Sequence, residues 1–163
     1  MNTAAISNTH GYRIEIEWTG NRGTGTSGYR EYGRELLIRA EGKAELEGSA
    51  DPTFHGNRDR WNPEELLVTA LAQCHMLSYL HMAVQAGVVV TAYRDEATGT
   101  MQQEGNGGAF TEVTLHPVVT VADASMVEAA RAAHAEAYKV CFIANSVNFP
   151  VRHEPVIEVA AAA

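Results

Sequence analysis

Cysteine is scarce in this chain: two among 163 residues, Cys74 and Cys141. That excludes a small scaffold stapled by several disulfides. The opening MNTAAISNTHGY lacks the basic start and apolar core of a secretory leader. The two thiols therefore read as redox-active or simply buried rather than as a stabilising bridge. Basic residues are also few, 12 Lys and Arg against 20 Asp and Glu, giving a net charge of −8 with no basic run. Nucleic-acid binding needs a basic face to neutralise phosphate, so that class is excluded. Neither end carries a lipidation motif. The run Leu66 to Val90 has no charged residue and is long enough to raise a membrane span. Thr69, Gln73, His75, Ser78, Tyr79, His81 and Gln85 would be costly against lipid, and no Lys or Arg cluster flanks the run. The expectation is a buried central helix in a cytoplasmic protein, with no membrane and no nucleic acid among its partners.

What is present divides cleanly. GYRIEIEWTG (11–20) alternates apolar and polar residues as a half-buried strand does, and a Gly-rich turn, GNRGTGTSG, follows. YREYGRELLIRA (29–40) and KAELEG (43–48) read as two more strands, and residues 48–61 as a polar loop. Asn62 can cap a helix, Pro63 suits its first position, and Glu64 and Glu65 favour the positive end of its dipole. Gly87 is a plausible stop. Residues 88–103 and 109–122 read as one strand each around GNGG. A second helix opens at Asp123 or Ser125 and runs through Tyr138. CFIANSV (141–147) reads as a short helical turn and residues 149–160 as a last strand. There is no internal repeat. The order βββ–α–ββ–α–β with short turns predicts a single α+β domain over 1–163 with mainly antiparallel pairing. The first helix is apolar nearly all round and needs cover on most sides. The second helix or another copy of the chain must supply it, so burial alone predicts a homodimer.

The chemistry candidates start with Cys74. A lone buried cysteine is usually an inert small hydrophobe. A mid-helix position also withholds the helix N-terminal dipole, so activation would need a cation from outside the helix, and Arg is the better supplier. Cys141 stands at the end of the second helix. If the helices pack side by side the thiols can meet, which fits an attacking and a resolving thiol. His75, His81 and His134 raise a metal site, but His75 and His81 are six positions apart, about 120° off a common face. Metal is not expected, and these histidines read as polar groups satisfied in or beside the core. A Cys–His hydrolase fits poorly: His75 follows Cys74 directly on a helix and points elsewhere, and no strand-to-helix elbow presents the thiol.

The stretch NPEELLVTALAQC resembles the OsmC/Ohr family of thiol peroxidases. Asn62, Pro63 and Glu64 open the helix, and Cys74 follows that Glu by ten residues, as in the family. CFIANSV is similar to the second signature, a cysteine opening a C-P-V-S-N-like turn, although Phe142 and Ile143 depart from it. WTGN…GTS…YR and RWNPEELL resemble one branch of OsmC-like proteins, many of them only inferred to be peroxidases. The resemblance implies an intertwined homodimer, with antiparallel sheets wrapped around two long central helices and two sites at the interface. It implies that Cys74 attacks an organic hydroperoxide and becomes a sulfenic acid. Cys141 then closes a disulfide, and a lipoyl-type dithiol reopens it, with no cofactor or metal. It also implies an activating arginine held by Glu64. One branch carries the arginine in the first Gly-rich hairpin, where Arg22 falls. The other carries it in the loop before the helix, where His55, Arg58 and Arg60 fall. Arg22 and Arg60 are the even candidates, with Arg58 behind. Unperturbed, His55 would carry charge only below about pH 6.5 and could make the site pH-sensitive. Glu64 and Cys74 lie about 15 Å apart along one helix, so Glu64 would serve the thiol only across a subunit interface or through a bridging arginine. Two other readings remain for the same fold: a non-enzymatic small-molecule binder with structural cysteines, and a redox sensor whose disulfide alters a partner surface.

Overall fold

A computed structural model of the chain describes residues 8–161. The chain falls into two compact units, with the boundary after Glu65. The first holds a three-stranded antiparallel sheet of β1 (Glu15–Trp18), β2 (Leu36–Arg39) and β3 (Leu46–Gly48), in that order. Arg39 on the middle strand donates to Glu15, Glu17 and Glu45, at 3.0, 2.7 and 2.6 Å. These groups are exposed, so the pairs contribute little to stability.

The sequence reading extended the second strand back to residue 29; the structure corrects this. Residues 20–33 close into a loop whose neck is the bond from Gly33 N–H to Gly20 O, 2.7 Å, beside a bond from Trp18 Nε1–H to Gly33 O, 2.9 Å. A Cβ on Gly20 would lie 2.1 Å from the Gly33 oxygen, so the neck admits only glycine there. Arg34 lies over the rings of Tyr29 and Tyr32, at 4.7 and 4.1 Å, and donates to both of their carbonyls. These local bonds outcompete the ladder a strand would need.

The helix α1 (Pro63–Gln85) starts where the sequence predicts. Asn62 Oδ1 accepts from Glu65 N–H at 2.8 Å, and the Glu65 carboxylate accepts from Asn62 N–H at 3.3 Å, a reciprocal capping box. Gly87 ends the turn beyond it at a left-handed φ of 69°.

The second unit carries β4 (Val90–Asp95), β5 (Thr98–Glu104), β6 (Gly107–Leu115), β7 (Pro117–Val121), α2 (Val127–Val140), β8 (Val151–His153) and β9 (Val156–Val159). They form two sheets, β4-β7-β9 and β5-β6-β8. Each of the three long strands expected from sequence is two strands, one in each sheet. The breaks fall at Glu96–Ala97, at His116 and at Glu154–Pro155. At the second break the Asp95 carboxylate takes the His116 N–H at 2.7 Å, and at the third Pro155 has no N–H to give. Antiparallel pairing holds for β4–β7 and β5–β6, whereas β6–β8 and β7–β9 are parallel, because the chain returns through α2. The class is α+β.

The core of this unit lies on one stripe of α1 (Leu71, His75, Tyr79, Ala83) and one of α2 (Ala130, Ala133, His134, Ala137). The alanines let backbones approach, and Tyr79 Oη donates to the carbonyl of Ala130 at 3.2 Å. One apolar cluster gathers around Tyr79, Val119 and Val121, another around Leu71, Leu115 and Val151. Part of the rest of α1 stays open: Leu77 is 56% and Val84 77% exposed. α1 is long and apolar enough to cross a membrane by length and composition alone. The sequence expectation of a helix enclosed on most sides is not met within one chain.

Candidate active site

Cys74 is displaced from the core stripe of α1 by one position, which leaves it half-buried at the edge of the apolar cluster around Leu71. Cys141 ends α2. Its backbone leaves the helix at φ −74°, ψ 107°, and its side chain turns fully inward. Both cysteines are free, and both pack into the same apolar cluster, with the Cys74 side chain near enough to that of Cys141 to raise its ionisation. The two thiols that the sequence could only suppose near one another are therefore neighbours.

The turn after Cys141 sets its electrostatics. Asn145 N–H donates to Cys141 O at 3.1 Å and Ser146 Oγ–H to Phe142 O at 2.7 Å, winding 141–146 into a tight turn that brings the amides of Ala144 and Ile143 near the Cys141 side chain. Those amides favour a thiolate there. Burial opposes it more strongly, the neighbouring Cys74 side chain adds to the opposition, and the Cys141 thiol is pushed up to about 11. Cys141 thus keeps its proton at neutral pH. Around the pair stand Val113, Leu115, Ala144 and Val151, with Phe110 and Phe149 stacked at 5.5 Å. Phe142, beside Cys141, is 73% exposed.

The residues expected to assist lie in the first unit. Glu64, in the first turn of α1, has a buried Oε2 without a hydrogen-bond partner among the described residues. Arg60 donates to Glu47 at 3.2 Å. Arg22 is exposed in the closed loop, on a turn where Asn21 Oδ1 accepts from the N–H groups of Gly23 and Gly25. Arg58 is exposed and helps hold the Asp51 carboxyl below its usual range, behind the larger effect of the bond from Thr53. His55 sits edge-on to Tyr29 at 5.3 Å, in the left-handed region at φ 65°.

His75 and His134 lie in the core as the sequence reading expected and their rings bond each other, Nε2 to Nδ1, at 3.0 Å, but they are satisfied only in part, because His134 Nε2 is buried without a partner among the described residues. His81 is exposed and bonded to Gln85. Sequence reasoning missed His153, which stacks on both buried rings. A signal existed only for the first two, since His75 and His134 fall on the core stripes of their helices. Among the described residues no cluster of His, Cys, Asp and Glu has the geometry to hold a metal ion.

Residues 55–155 match the family model described as OsmC-like protein. An OsmC-like protein of unknown function from Vibrio cholerae is similar in structure, with a TM-score of 0.81 at 27% identity over 91% of this chain and 100% of that one. An organic hydroperoxide resistance protein from Elizabethkingia anophelis, with thiocyanate bound, has a TM-score of 0.65 at 20% identity over 94% and 100% of the two chains. A putative organic hydroperoxide resistance protein from Vibrio cholerae, with captopril in one of its active sites, has a TM-score of 0.59 at 22% identity over 97% and 96%. The last two likenesses show the shared fold. Comparison with curated proteins finds no match.

Proposed function

This chain belongs to the OsmC-like family, and we propose that it is a thiol-dependent peroxidase that reduces organic hydroperoxides. The observation that carries the reading is the pairing of the two free thiols in one apolar cluster, one member half-buried and one fully enclosed. Two similar structures are of proteins named for organic hydroperoxide resistance, which supports the substrate class.

In this reading Cys141 holds its proton, and the Cys74 thiolate attacks the terminal oxygen of the hydroperoxide. The O–O bond breaks, the alkoxide takes up a proton and leaves as the alcohol, and Cys74 becomes a sulfenic acid. The Cys141 sulfur attacks the Cys74 sulfur, water leaves, and a disulfide joins the two. A small dithiol of the lipoyl type exchanges with that disulfide and restores both thiols. The apolar side chains around the pair favour a hydroperoxide with a hydrocarbon body over hydrogen peroxide. The cation that supports the thiolate falls to Arg22 or Arg60, with Glu64 orienting it. The functional form is a homodimer, which would cover the exposed apolar face of α1.

Thiol titration and intact mass, with and without one equivalent of cumene hydroperoxide, test the reading. Rapid loss of both thiols with a decrease of about 2 Da per chain is the expected result. Cys74→Ser should abolish turnover. Cys141→Ser should stop at a sulfenic acid, about 16 Da heavier and trapped by dimedone. Thiols that remain free in the wild type would leave a ligand-binding fold with packing cysteines.

A further inference from the structure

Between the two apolar clusters of the second unit lies a polar layer made of imidazoles. His75 comes from α1, one residue after Cys74. His134 comes from α2, two turns before Cys141. His153 comes from β8, the first strand after the Cys141 turn. The rings of His75 and His134 are near-parallel with centroids 5.3 Å apart, and His153 lies 5.4 Å from the first and 6.0 Å from the second. Tyr79 stacks on His134 at 3.9 Å, and Tyr138 stands 6.1 Å from His153. His75 and His134 are 2% and 1% exposed.

The bond at the centre of the layer fixes how much charge it can hold. His75 Nε2 and His134 Nδ1 are 3.0 Å apart, so one must donate and the other accept. A protonated imidazole has only donors. With both rings charged, two N–H groups would face each other and the bond would be lost. The far nitrogen of His134, Nε2, is buried with no partner among the described residues, so a proton placed there would be unsatisfied. The groups facing the layer offer no counter-charge. They are Tyr79 from α1, Tyr138 and Arg131 from α2, and Tyr93, which packs on Tyr79 from β4. None is a carboxylate, and Arg131 opposes protonation of His134. The neighbour of His153, Glu154, is paired with His116 instead.

We propose that the His75–His134–His153 layer is an acid-sensitive latch: neutral, it holds α1, α2 and β8 together and keeps Cys74 against Cys141; protonated, it parts them. This rests on the nearness of the two thiols and not on the peroxidase reading. The direction follows from linkage. Burial is the main reason that His75 is lowered to about 4 and His134 to about 3, and it also lowers His153. In an opened chain all three titrate near the ordinary value of about 6.5. Above that pH neither form binds the protons and the latch is at full strength. As pH falls from about 6.5 towards 4, the opened form takes up protons that the closed form refuses, and closure weakens by up to about tenfold per pH unit for each ring.

The experiment is alkylation of the reduced protein by iodoacetamide, with Cys141 followed by peptide mass. The rate at each pH is divided by that of the urea-unfolded chain at the same pH, which cancels the intrinsic ionisation of the thiol. The expected protection of Cys141 is constant above about pH 7 and falls more than tenfold per pH unit between about 6.5 and 5. His153→Phe keeps a stacking ring at a half-buried position and removes one titrating group, so its dependence should be shallower. His81→Gln, at an exposed position of α1 where the side chain bonds Gln85 and touches none of the three rings, should follow the wild type. His134→Phe removes the unsatisfied nitrogen and should flatten the curve further; if that variant does not fold, the His153→Phe arm decides alone. Protection that stays flat down to pH 5, or an unchanged slope in His153→Phe, overturns the latch.

Discussion

At the scale of single residues, the two cysteines differ by position more than by chemistry. Cys141 is enclosed and carries its proton, while Cys74 stands at the rim of the same cluster. Roles follow from that difference, and so does an expected asymmetry in labelling. At pH 7.5 iodoacetamide should modify Cys74 well before Cys141, and equal rates would remove the physical basis for the assignment. The arginine question also belongs at this scale. Alanine substitution of the residue that supports the thiolate should lower the second-order rate with cumene hydroperoxide by about 100-fold or more, and substitution of the other should leave it within a few fold. Arg60 starts from an existing partner, Glu47, whereas Arg22 is exposed on its loop. Packing around the pair makes a separate prediction. A Cβ on Gly99 would lie 2.8 Å from both Phe110 and Val68, whose rows flank the thiols. Gly99→Ala should cost about 1–3 kcal/mol in urea unfolding, because the neighbours must shift to admit a methyl group.

At the scale of elements, α1 governs most of what can be tested. Its start rests on Asn62 and Glu65 bonding each other's backbone amides. Asn62→Ala should therefore destabilise the chain by about 1 kcal/mol, measured by the urea midpoint at constant slope. On the exposed side, Gln73, Leu77 and Val84 recur at spacings of four and seven, within the pattern of a helix that packs against another. Leu77 and Val84 are exposed in the single chain. The strands show the opposite kind of legibility. The sequence reading of 88–103 and 109–122 identified β structure correctly but not its corners. Nothing in Glu96–Ala97 marks a turn by composition, whereas at His116 the following Pro117 is a break signal and the capping of His116 N–H by Asp95 holds the bend.

At the scale of the whole molecule, the exposed apolar surface is what the proposed homodimer would cover. Besides α1, the first sheet leaves Ile16 59% and Trp18 44% exposed. Sedimentation should give a dimer mass, and the melting temperature should rise with protein concentration, as mass action requires of a folded dimer. Leu77→Lys should shift that equilibrium to monomer, because a charge would be buried without a partner at the joint. A monomer at all concentrations would leave the uncovered face of α1 unexplained.

By itself the sequence determined those features that depend on neighbours along the chain. The capped start and glycine stop of α1, the glycine-rich turn after β1, the α+β class and the NPEELLVTALAQC motif are all local patterns of propensity and spacing. Tertiary structure alone decided what depends on residues far apart. It brought Cys74 to Cys141, made the second thiol the proton holder by enclosing it, and split each long strand between two sheets. It also stacked His153 on a histidine pair drawn from two helices. The physical reason is the same in each case. Hydrogen bonds within a turn or a helix are written in a few consecutive side chains. Burial, and the shifts in ionisation that follow from it, depend on which surfaces the whole chain folds together.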